Sequence, residues 1–288
     1  MRGPPPEGLR SVEADGLRWC VRVSASTAGP EAPTLLLLHG TGASMHSFDA
    51  LAPLLQAQFR LVAPDLPGHG DTARPRQEQL TMDGMGRALA ALLQVLGVQP
   101  DLVLGHSAGA AVAVRMALDG LLAPRAILAV NGAFLPFGGP AAPLLTPLAR
   151  LLYTQRWVPG FFSRRAADPA VVRRLLAGTG STLDDAGVLA YQRLLQRPEH
   201  AEAALGMMAH WDLPRLARDL PRLQTPLHLL VGAADRAVPP SQARAVVRRC
   251  PVAHMTVLPG LGHLAHEEAP QAVAHLVLAL ARGLRLVP

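Results

Sequence analysis

The sequence predicts an α/β protein with a doubly wound, mostly parallel sheet and an inserted helical cap. Strand-like and helix-like runs alternate along most of the chain. Several strand-like runs, such as LLLL at 35–38, are apolar without interruption, which is typical of strands covered by helices on both faces. From about Leu135 to about His210 no good strand occurs and the spacing is helical, so this stretch interrupts the alternation.

The first elements are two short strands joined at Asp15-Gly16, then the strand TLLLL and a Gly-rich loop. An amphipathic helix capped by Thr81, the strand DLVLGHS, a helix from Ser107 and the strand RAILAVNG follow. After the interruption, TPLHLLVGAAD, SQARAVVRRC, AHMTVLPG and EAPQAVAHLVLALARGL continue the alternation.

These elements divide the chain into two predicted parts. We expect residues 1–134 and 211–288 to form the core, and residues 135–210 to form a helical cap or lid. The cap would cover the carboxyl edge of the sheet, where open α/β sheets bind their ligands.

Composition limits the possible functions. The 288 residues, half of them hydrophobic, are enough for one core with an inserted subdomain. No apolar run approaches the roughly 18–20 residues that span a bilayer, and the first residues lack the apolar region of a secretory signal. Cys20 and Cys250 are far apart and in no metal-like spacing. We therefore expect a cytoplasmic protein with no transmembrane segment.

The formal charge is +6, and every basic residue is arginine. A biased genome composition explains this charge without any function; an anionic substrate, an acidic partner and a membrane surface are the alternatives. Nucleic acid is a poor fit, because the arginines are scattered, aromatic residues are scarce and no nucleic-acid motif is present.

The stretch Gly105-His106-Ser107-Ala108-Gly109 fits G-x-S-x-G where a predicted strand gives way to a predicted helix. In this context the serine occupies a strained turn that raises its hydroxyl above the sheet, and the glycines allow backbones to approach closely. Ser107 is therefore the candidate nucleophile. An ordinary Gly/Ser turn is the alternative.

A serine nucleophile needs a base and an acid that orients the base. His263, in the loop before the last helix, is the candidate base; His266 is its rival, expected at the surface or supporting the site from behind. Asp235 follows the preceding strand and is the candidate acid, with a turn-forming role as the alternative. Asn131 occupies the equivalent place one strand earlier, but it carries no charge.

The oxyanion hole is expected to use backbone N–H groups of Ala108 and of Thr41, with Gly42 as the alternative to Thr41. We expect His39, directly before Gly40, to brace this loop and not to transfer protons. Its position also makes it a candidate residue of the substrate pocket. His69 is expected to be structural. We expect no metal and no cofactor.

Taken together, HGTG, DLPGHG, GHSAG, GAADRAVP and GLGHLAHEEAP make the chain similar to the α/β-hydrolase superfamily over nearly its whole length. A narrower resemblance lies in LLLLHGTGASMHSF, GHSAGAAVAVRMALDG, NGAFLPFGG, LAGTGS and ALGMMAHWDL. These resemble the BchO group, the magnesium-chelatase accessory proteins of bacteriochlorophyll gene clusters. The resemblance implies the α/β-hydrolase fold and an association with the magnesium branch of bacteriochlorophyll synthesis, but no particular chemical step.

Met207, Met208 and Trp211 could line a large apolar pocket, because methionine side chains repack readily; plain helix core is an equal alternative. One or two cap arginines could meet tetrapyrrole carboxylates, while most would face solvent. The cap arginines are Arg150, Arg156, Arg164, Arg165, Arg173, Arg174, Arg193 and Arg197.

Three functions are compatible with these residues. The first is a serine hydrolase acting on an ester-like bond of a small molecule, such as a tetrapyrrole or its ester. The second is a non-catalytic protein that binds a porphyrin or contacts magnesium chelatase. The third, ranked low, is a haloperoxidase-like activity. Without lysine, the chain contains no Walker A motif and cannot be an ATPase motor of that kind.

Overall fold

In the computed structural model, which describes residues 8–136, 151–155 and 157–288, eight strands form one sheet. Their order across the sheet is β1-β2-β4-β3-β5-β6-β7-β8, and every neighbouring pair from β4 to β8 is parallel. The sequence-based prediction of a mostly parallel α/β sheet is therefore confirmed. The strands are β1 (Leu9–Ala14), β2 (Leu17–Ser24), β3 (Thr34–Leu38), β4 (Arg60–Pro64), β5 (Leu102–His106), β6 (Ala126–Val130), β7 (Leu227–Gly232) and β8 (Ala253–Leu258).

The predicted hairpin at the start of the chain is present. β1 and β2 pair antiparallel, and both turn residues have positive φ, 51° at Asp15 and 65° at Gly16. Such a turn matches the twist of the strands it joins. β2 also pairs antiparallel with β4, so the hairpin extends one edge of the parallel sheet.

The continuous apolar runs are explained by a core on each side of the sheet. All five residues of β3 are buried. Leu36 and Leu38 pack into the core under α2 and α3, while Leu35 and Leu37 pack into the opposite core under α1 and α11. Because side chains alternate along a strand, both faces of β3 must be apolar.

Helices follow the strands as the sequence predicts, and the hydroxyl of Thr81 caps α2 by accepting from the N–H of Gly84 at 3.0 Å. Short 3-10 helices lie at Met45–Phe48, Gln77–Leu80 and Leu220–Arg222. The α-helices are α1 (Ala52–Leu55), α2 (Met82–Val95), α3 (Ala108–Leu118), α4 (Val158–Arg165), α5 (Pro169–Gly178), α6 (Asp185–Leu195), α7 (Pro198–His210), α8 (Leu213–Asp219), α9 (Pro240–Arg249), α10 (Ala265–Glu268) and α11 (Pro270–Gly283).

Helices α4 to α7 lie between β6 and β7, and the described residues of this stretch contain no strand. Their own apolar cluster, which includes Val172, Val188 and Tyr191, also contains Ala43 and Leu264 from the loops after β3 and β8. The predicted helix PLLTPLARLLY lies mostly outside the described residues. The boundaries of core and cap stay a prediction.

Within the described parts of the chain, no helix has the length and apolarity needed to cross a membrane.

A buried arginine joins α3 to the end of α8. Arg115 lies 2.5 Å from Asp119 and 2.7 Å from Asp219, and its side chain is 5% exposed. Removing one partner of a buried ion pair leaves the other charges without compensation, which costs far more than the loss of a surface pair.

We predict that Arg115→Met lowers the free energy of unfolding by about 2–3 kcal/mol, because Asp119 and Asp219 lose their counter-charge in a poorly solvated site. The matched control is Arg173→Met, which breaks the exposed Arg173–Asp185 pair and should change stability by less than about 0.5 kcal/mol. Urea unfolding of the three proteins measures this. Equal losses of unfolding free energy in the two variants would contradict the stabilising role of the buried Arg115 ion pairs.

Candidate active site

Ser107 occupies the turn between β5 and α3. Its φ of 49° and ψ of −111° lie outside the regions that non-glycine residues favour. Its N–H donates to the carbonyl oxygen of Val130 at 2.9 Å, and its own carbonyl oxygen accepts from Ala133 at 3.2 Å. These bonds to the end of β6 hold the strained conformation in place.

The flanking glycines are required by close backbone contacts. A Cβ at Gly105 would lie 2.5 Å from the backbone nitrogen of Ala110, and one at Gly109 would overlap the carbonyl oxygens of Leu38 and His39. The first turn of α3 is thus pressed against the end of β3. This contact explains the spacing of the two glycines around Ser107.

Asp235 and His263 are brought together although 28 residues separate them. The Nδ1–H of His263 donates to Oδ2 of Asp235 at 2.8 Å, and both residues are buried. Oδ1 of Asp235 accepts from the N–H groups of Ala237 at 2.8 Å and Val238 at 2.9 Å. The carboxylate is thereby fixed by its own turn, and the bond to Nδ1 leaves Nε2 of His263 as the proton acceptor.

The backbone of His263 is anchored beside the serine elbow by two residues that the sequence did not single out for this purpose. The carbonyl oxygen of His263 accepts from Nδ2 of Asn131 at 2.8 Å and from Nε2 of His106 at 3.0 Å. Asn131 also donates to the carbonyl oxygen of Gly262, and its Oδ1 accepts from Gly232. Asn131 is therefore a clamp between β6, β7 and the histidine loop.

The loop after β3 lies against the elbow, as the oxyanion-hole hypothesis requires. A Cβ built on Gly40 would lie 3.2 Å from Cβ of Ser107, so the backbone of Thr41 begins directly beside the serine. Ala108 is the first residue of α3, and its N–H has no acceptor within the helix. The hydroxyl of Thr41 donates to the sulfur of Met207 at 3.2 Å.

His200 of α7 braces the same loop, a role that no sequence pattern indicates. Its Nδ1 accepts from the N–H of Gly70 at 3.1 Å, so its Nε2 carries the proton and donates to the carbonyl oxygen of Gly42 at 3.0 Å. His39 has the matching role within the core. Its Nε2 accepts from Leu66 and its Nδ1–H donates to Gly40, each at 2.8 Å.

The tentative pocket residues differ strongly in exposure. His39 is wholly buried with both ring nitrogens bonded to backbone, so it braces the loop and does not line a pocket. Met207 is also wholly buried, whereas Met208 is 46% exposed. Trp211 is half-buried, and its indole nitrogen has no hydrogen-bond partner in the part of the chain that the structure describes. The structure does not bring these four residues together as one surface.

His266 does not lie at the surface, contrary to one of the alternatives that the sequence left open. Its side chain is wholly buried, with its ring 4.5 Å from that of His106 and 5.3 Å from that of Phe48. Among the described residues, neither ring nitrogen of His266 has a hydrogen-bond partner. The loop from His263 into α10 turns this residue inward, which spacing along the sequence does not reveal.

The stretch between β6 and β7 is bonded directly to the histidine loop. The hydroxyl of Tyr191 donates to the carboxyl of Glu267 at 2.6 Å, and the N–H of Leu264 donates to the hydroxyl of Ser181 at 2.8 Å. Burial raises the pKa of Glu267 to about 8, while the hydrogen bond from Tyr191 acts in the opposite direction. The loop that carries His263 is therefore bonded to the stretch between β6 and β7 at two points.

Several buried imidazoles surround this site, and burial lowers the pKa of each. The pKa is lowered to about 3 for His39 and His266, to about 4 for His46 and His200, and well below its usual value for His69 and His106. All six are neutral at pH 7. In the described residues, no group of three or more His, Cys, Asp or Glu is arranged to hold a metal ion.

Of the residues predicted from sequence, the structure joins Asp235 to His263, bonds the backbone of His263 to His106 beside Ser107, and places the loop that begins at Gly40 next to Ser107. Arg150 and Arg156 lie outside the described residues. The clamp role of Asn131 and the contacts of His200, Tyr191 and Glu267 were not predicted from the sequence. Asn131 follows a buried strand at the sheet edge that carries the site, which was the available signal for it.

The chain belongs to the alpha/beta hydrolase family, whose model matches residues 35–276. Among its relatives is the magnesium-chelatase 30 kDa subunit of Rhodobacter capsulatus, 38% identical over 257 residues that cover 89% of each chain. The resemblance to this group is therefore confirmed. Another is the dihydrolipoyllysine-residue acetyltransferase component of the acetoin cleaving system of Pseudomonas putida, 30% identical over 98% of this chain and 70% of the relative.

Solved structures with the same fold differ in their reactions. The epoxide hydrolase CorEH superposes with a TM-score of 0.79 at 21% identity, over 96% of this chain and 99% of that one. An esterase from Thermogutta terrifontis has a TM-score of 0.73 at 23% identity, over 97% and 98% of the two chains. At these identities the likeness shows the fold alone, so the reaction must be argued from the site.

We predict that the free energy of unfolding falls as the pH drops from 6.5 towards 4. The unfolded chain binds protons at its histidines in this range, whereas the six buried imidazoles stay neutral in the folded protein, and each contributes up to about 1.4 kcal/mol per pH unit. Replacing one of them, in His266→Leu, should flatten the dependence by up to that amount. Denaturant unfolding at a series of pH values measures it.

The control for this prediction is His275→Gln, which replaces an exposed histidine on α11. This variant should keep the steep dependence of the parent. If His266→Leu and the parent gave the same slope between pH 6.5 and 4, the buried neutral imidazole would not be a source of acid sensitivity.

Proposed function

We propose that this protein is a serine hydrolase that cleaves an ester-like bond, with Ser107 as nucleophile, His263 as base and Asp235 as orienting acid. The observation that carries the proposal is the 2.8 Å bond between His263 Nδ1 and Asp235 Oδ2, in a loop tied to the neighbour of the strained Ser107. A carboxylate in this place holds the imidazole tautomer that accepts the serine proton, and stabilises the imidazolium that results.

In the proposed reaction Oγ of Ser107 attacks the substrate carbonyl carbon while Nε2 of His263 takes the hydroxyl proton. The N–H groups of Ala108 and Thr41 donate to the oxyanion of the tetrahedral intermediate. The intermediate expels the alcohol, which leaves with the proton from His263. A water molecule then attacks the acyl carbon while His263 takes its proton, the bond between that carbon and Oγ breaks, and His263 returns the proton to Oγ of Ser107 as the acid product leaves.

The substrate class we propose is a small ester, with a tetrapyrrole ester as the leading candidate. Support comes from the relative named as a magnesium-chelatase subunit, which is similar over most of both chains. On this view the protein acts in the cytoplasm, beside the magnesium branch of bacteriochlorophyll synthesis. Contact with magnesium chelatase is part of the same proposal.

A second candidate is a non-catalytic accessory protein that binds a porphyrin or magnesium chelatase on a hydrolase scaffold. One observation favours it: the similar protein from Rhodobacter capsulatus is named as a subunit of a chelatase and not as a hydrolase. The Asp235–His263 bond favours the first candidate, because it holds the imidazole tautomer that a serine nucleophile requires.

We predict that a fluorophosphonate forms one covalent adduct with the wild-type protein and none with Ser107→Ala, as read by intact mass. The reagent reacts only with a serine whose hydroxyl proton is drawn off by a base. Labelling of Ser47→Ala, which removes the hydroxyl of a different buried serine, is the control and should match wild type. If the folded wild-type protein formed no adduct, the accessory role would replace the serine hydrolase as the leading proposal.

We predict that Asp235→Asn lowers the rate of fluorophosphonate labelling by about 10³–10⁴, because an amide does not hold His263 in the tautomer that accepts the serine proton. The rate is measured by time-resolved intact mass at pH 7. Asp184→Asn changes an exposed helix-capping carboxylate instead and should label at the parent rate. Rapid labelling of Asp235→Asn would remove Asp235 from the proposed triad.

For the accessory role, we predict that protoporphyrin at micromolar concentration quenches the tryptophan fluorescence of the protein. The expected reporter is Trp211, which is half-buried with an unpartnered indole nitrogen where α7 ends. Trp211→Phe should lose most of the quenching, and Trp157→Phe, which removes an exposed indole, serves as its control. If protoporphyrin did not quench the fluorescence of the wild-type protein, porphyrin binding would no longer be part of the accessory proposal.

A further inference from the structure

Helix α4 has an unusual distribution of side chains. Its inward face buries Val158, Pro159 and Ser163. Its outward face exposes three large aromatic residues: Trp157 at 66%, Phe161 at 50% and Phe162 at 46%. In the described parts of the chain these are the exposed Phe and Trp residues; the others there are buried or half-buried.

The three aromatic side chains form a contiguous cluster. The rings of Trp157 and Phe161 are 6.1 Å apart, those of Phe161 and Phe162 are 5.9 Å apart, and both pairs meet edge to face. Scattered single apolar residues on a surface need no explanation, but a packed aromatic cluster indicates a surface that something covers.

Most of the charges that lie close to the cluster in the chain are basic. Arg164 and Arg165, on the last turn of α4, are exposed, and so is Arg174 on α5, whereas Arg173 is paired with Asp185. Between residues 151 and 178 the acidic residue is Asp168, whose side chain caps α5 by accepting from Ala170. An apolar, aromatic face with arginines at its rim is complementary to a surface that is apolar inside and negatively charged outside.

From this complementarity we infer that the α4 surface, defined as Trp157, Phe161, Phe162, Arg164 and Arg165, docks on a bilayer of anionic phospholipids. Tryptophan and phenylalanine partition into the region between headgroups and acyl chains. The two arginines can donate paired hydrogen bonds to lipid phosphates. The binding is peripheral, so the surface requires no membrane-spanning helix.

The same charges disfavour a second copy of the chain as the occupant. A two-fold contact through α4 would bring the arginines of both copies to one interface, where like charges repel. An acidic protein would also complement the arginines of the α4 surface. In that case the wild type would not float with vesicles in the experiment described next. Docking on a membrane is independent of the proposed chemistry, because it uses no residue of the candidate triad.

The experiment is flotation of the full-length protein with vesicles of phosphatidylcholine, alone or mixed with phosphatidylglycerol. Wild type should float with the mixed vesicles and remain behind with phosphatidylcholine alone. Arg164→Gln/Arg165→Gln should lower the partition coefficient on mixed vesicles by about tenfold or more, since each arginine near an anionic surface contributes severalfold. Trp157→Ser/Phe161→Ser/Phe162→Ser should lower it at least as much.

Matched controls change the same residue types elsewhere. Arg248→Gln/Arg249→Gln removes two exposed arginines from α9, and Val95→Ser removes an exposed apolar side chain from α2. Both should float like wild type. Circular dichroism and thermal unfolding check that every variant is folded, which is expected because all the replaced side chains are exposed.

A second readout reports the position of the helix directly. Lipids brominated on their acyl chains should quench part of the tryptophan emission of wild type, and Trp157→Phe should float normally but lose that quenching.

Failure of wild type to float, or equal flotation of the α4 variants and the controls, would overturn the proposal. The proposal would also be overturned if size-exclusion chromatography showed a wild-type dimer that only the α4 variants lose, while the wild type did not bind vesicles. Ser107→Ala should float like wild type, which separates this result from the proposed catalysis.

Discussion

The site depends on one close contact: the first turn of α3 is packed against the end of β3. Gly109 allows it, because any side chain there would overlap the carbonyl oxygens of Leu38 and His39. Ser107, directly before this turn, has a positive φ, and the loop that begins at Gly40 lies beside it. Nucleophile and oxyanion loop are therefore positioned by backbone packing, which shifts far less than side-chain rotamers do.

The sheet order extends this arrangement to the rest of the site. β5 lies between β3 and β6, and β7 follows, so the loops after all four strands open at the same edge. Asn131 ends β6 and bonds to Gly232 of β7 and to the carbonyl oxygens of Gly262 and His263. One amide thus fixes the loop of the candidate base against the strand that precedes the candidate acid.

Much of this could be predicted from the sequence, because the signals were local. The run TLLLL, the G-x-S-x-G pattern around Ser107 and the cap at Thr81 are each recognisable from consecutive residues, although the contacts that require Gly109 are made with Leu38 and His39 on a distant strand. His200 and Glu267 could not be found in this way, since their partners, Gly42 and Gly70 for one and Tyr191 for the other, are more than 70 residues distant. The inward turn of His266 and the outward aromatic face of α4 likewise depend on tertiary packing.

The helices between β6 and β7 do more than cover the sheet edge, because they bond to both halves of the candidate site. His200 holds the carbonyl oxygen of Gly42 on the oxyanion side, while Ser181 and Tyr191 hold Leu264 and Glu267 on the histidine side. A rigid-body opening of these helices would break all three bonds at once. Opening this stretch as one rigid body is therefore costly, because both sides of the candidate site would lose a bond to it.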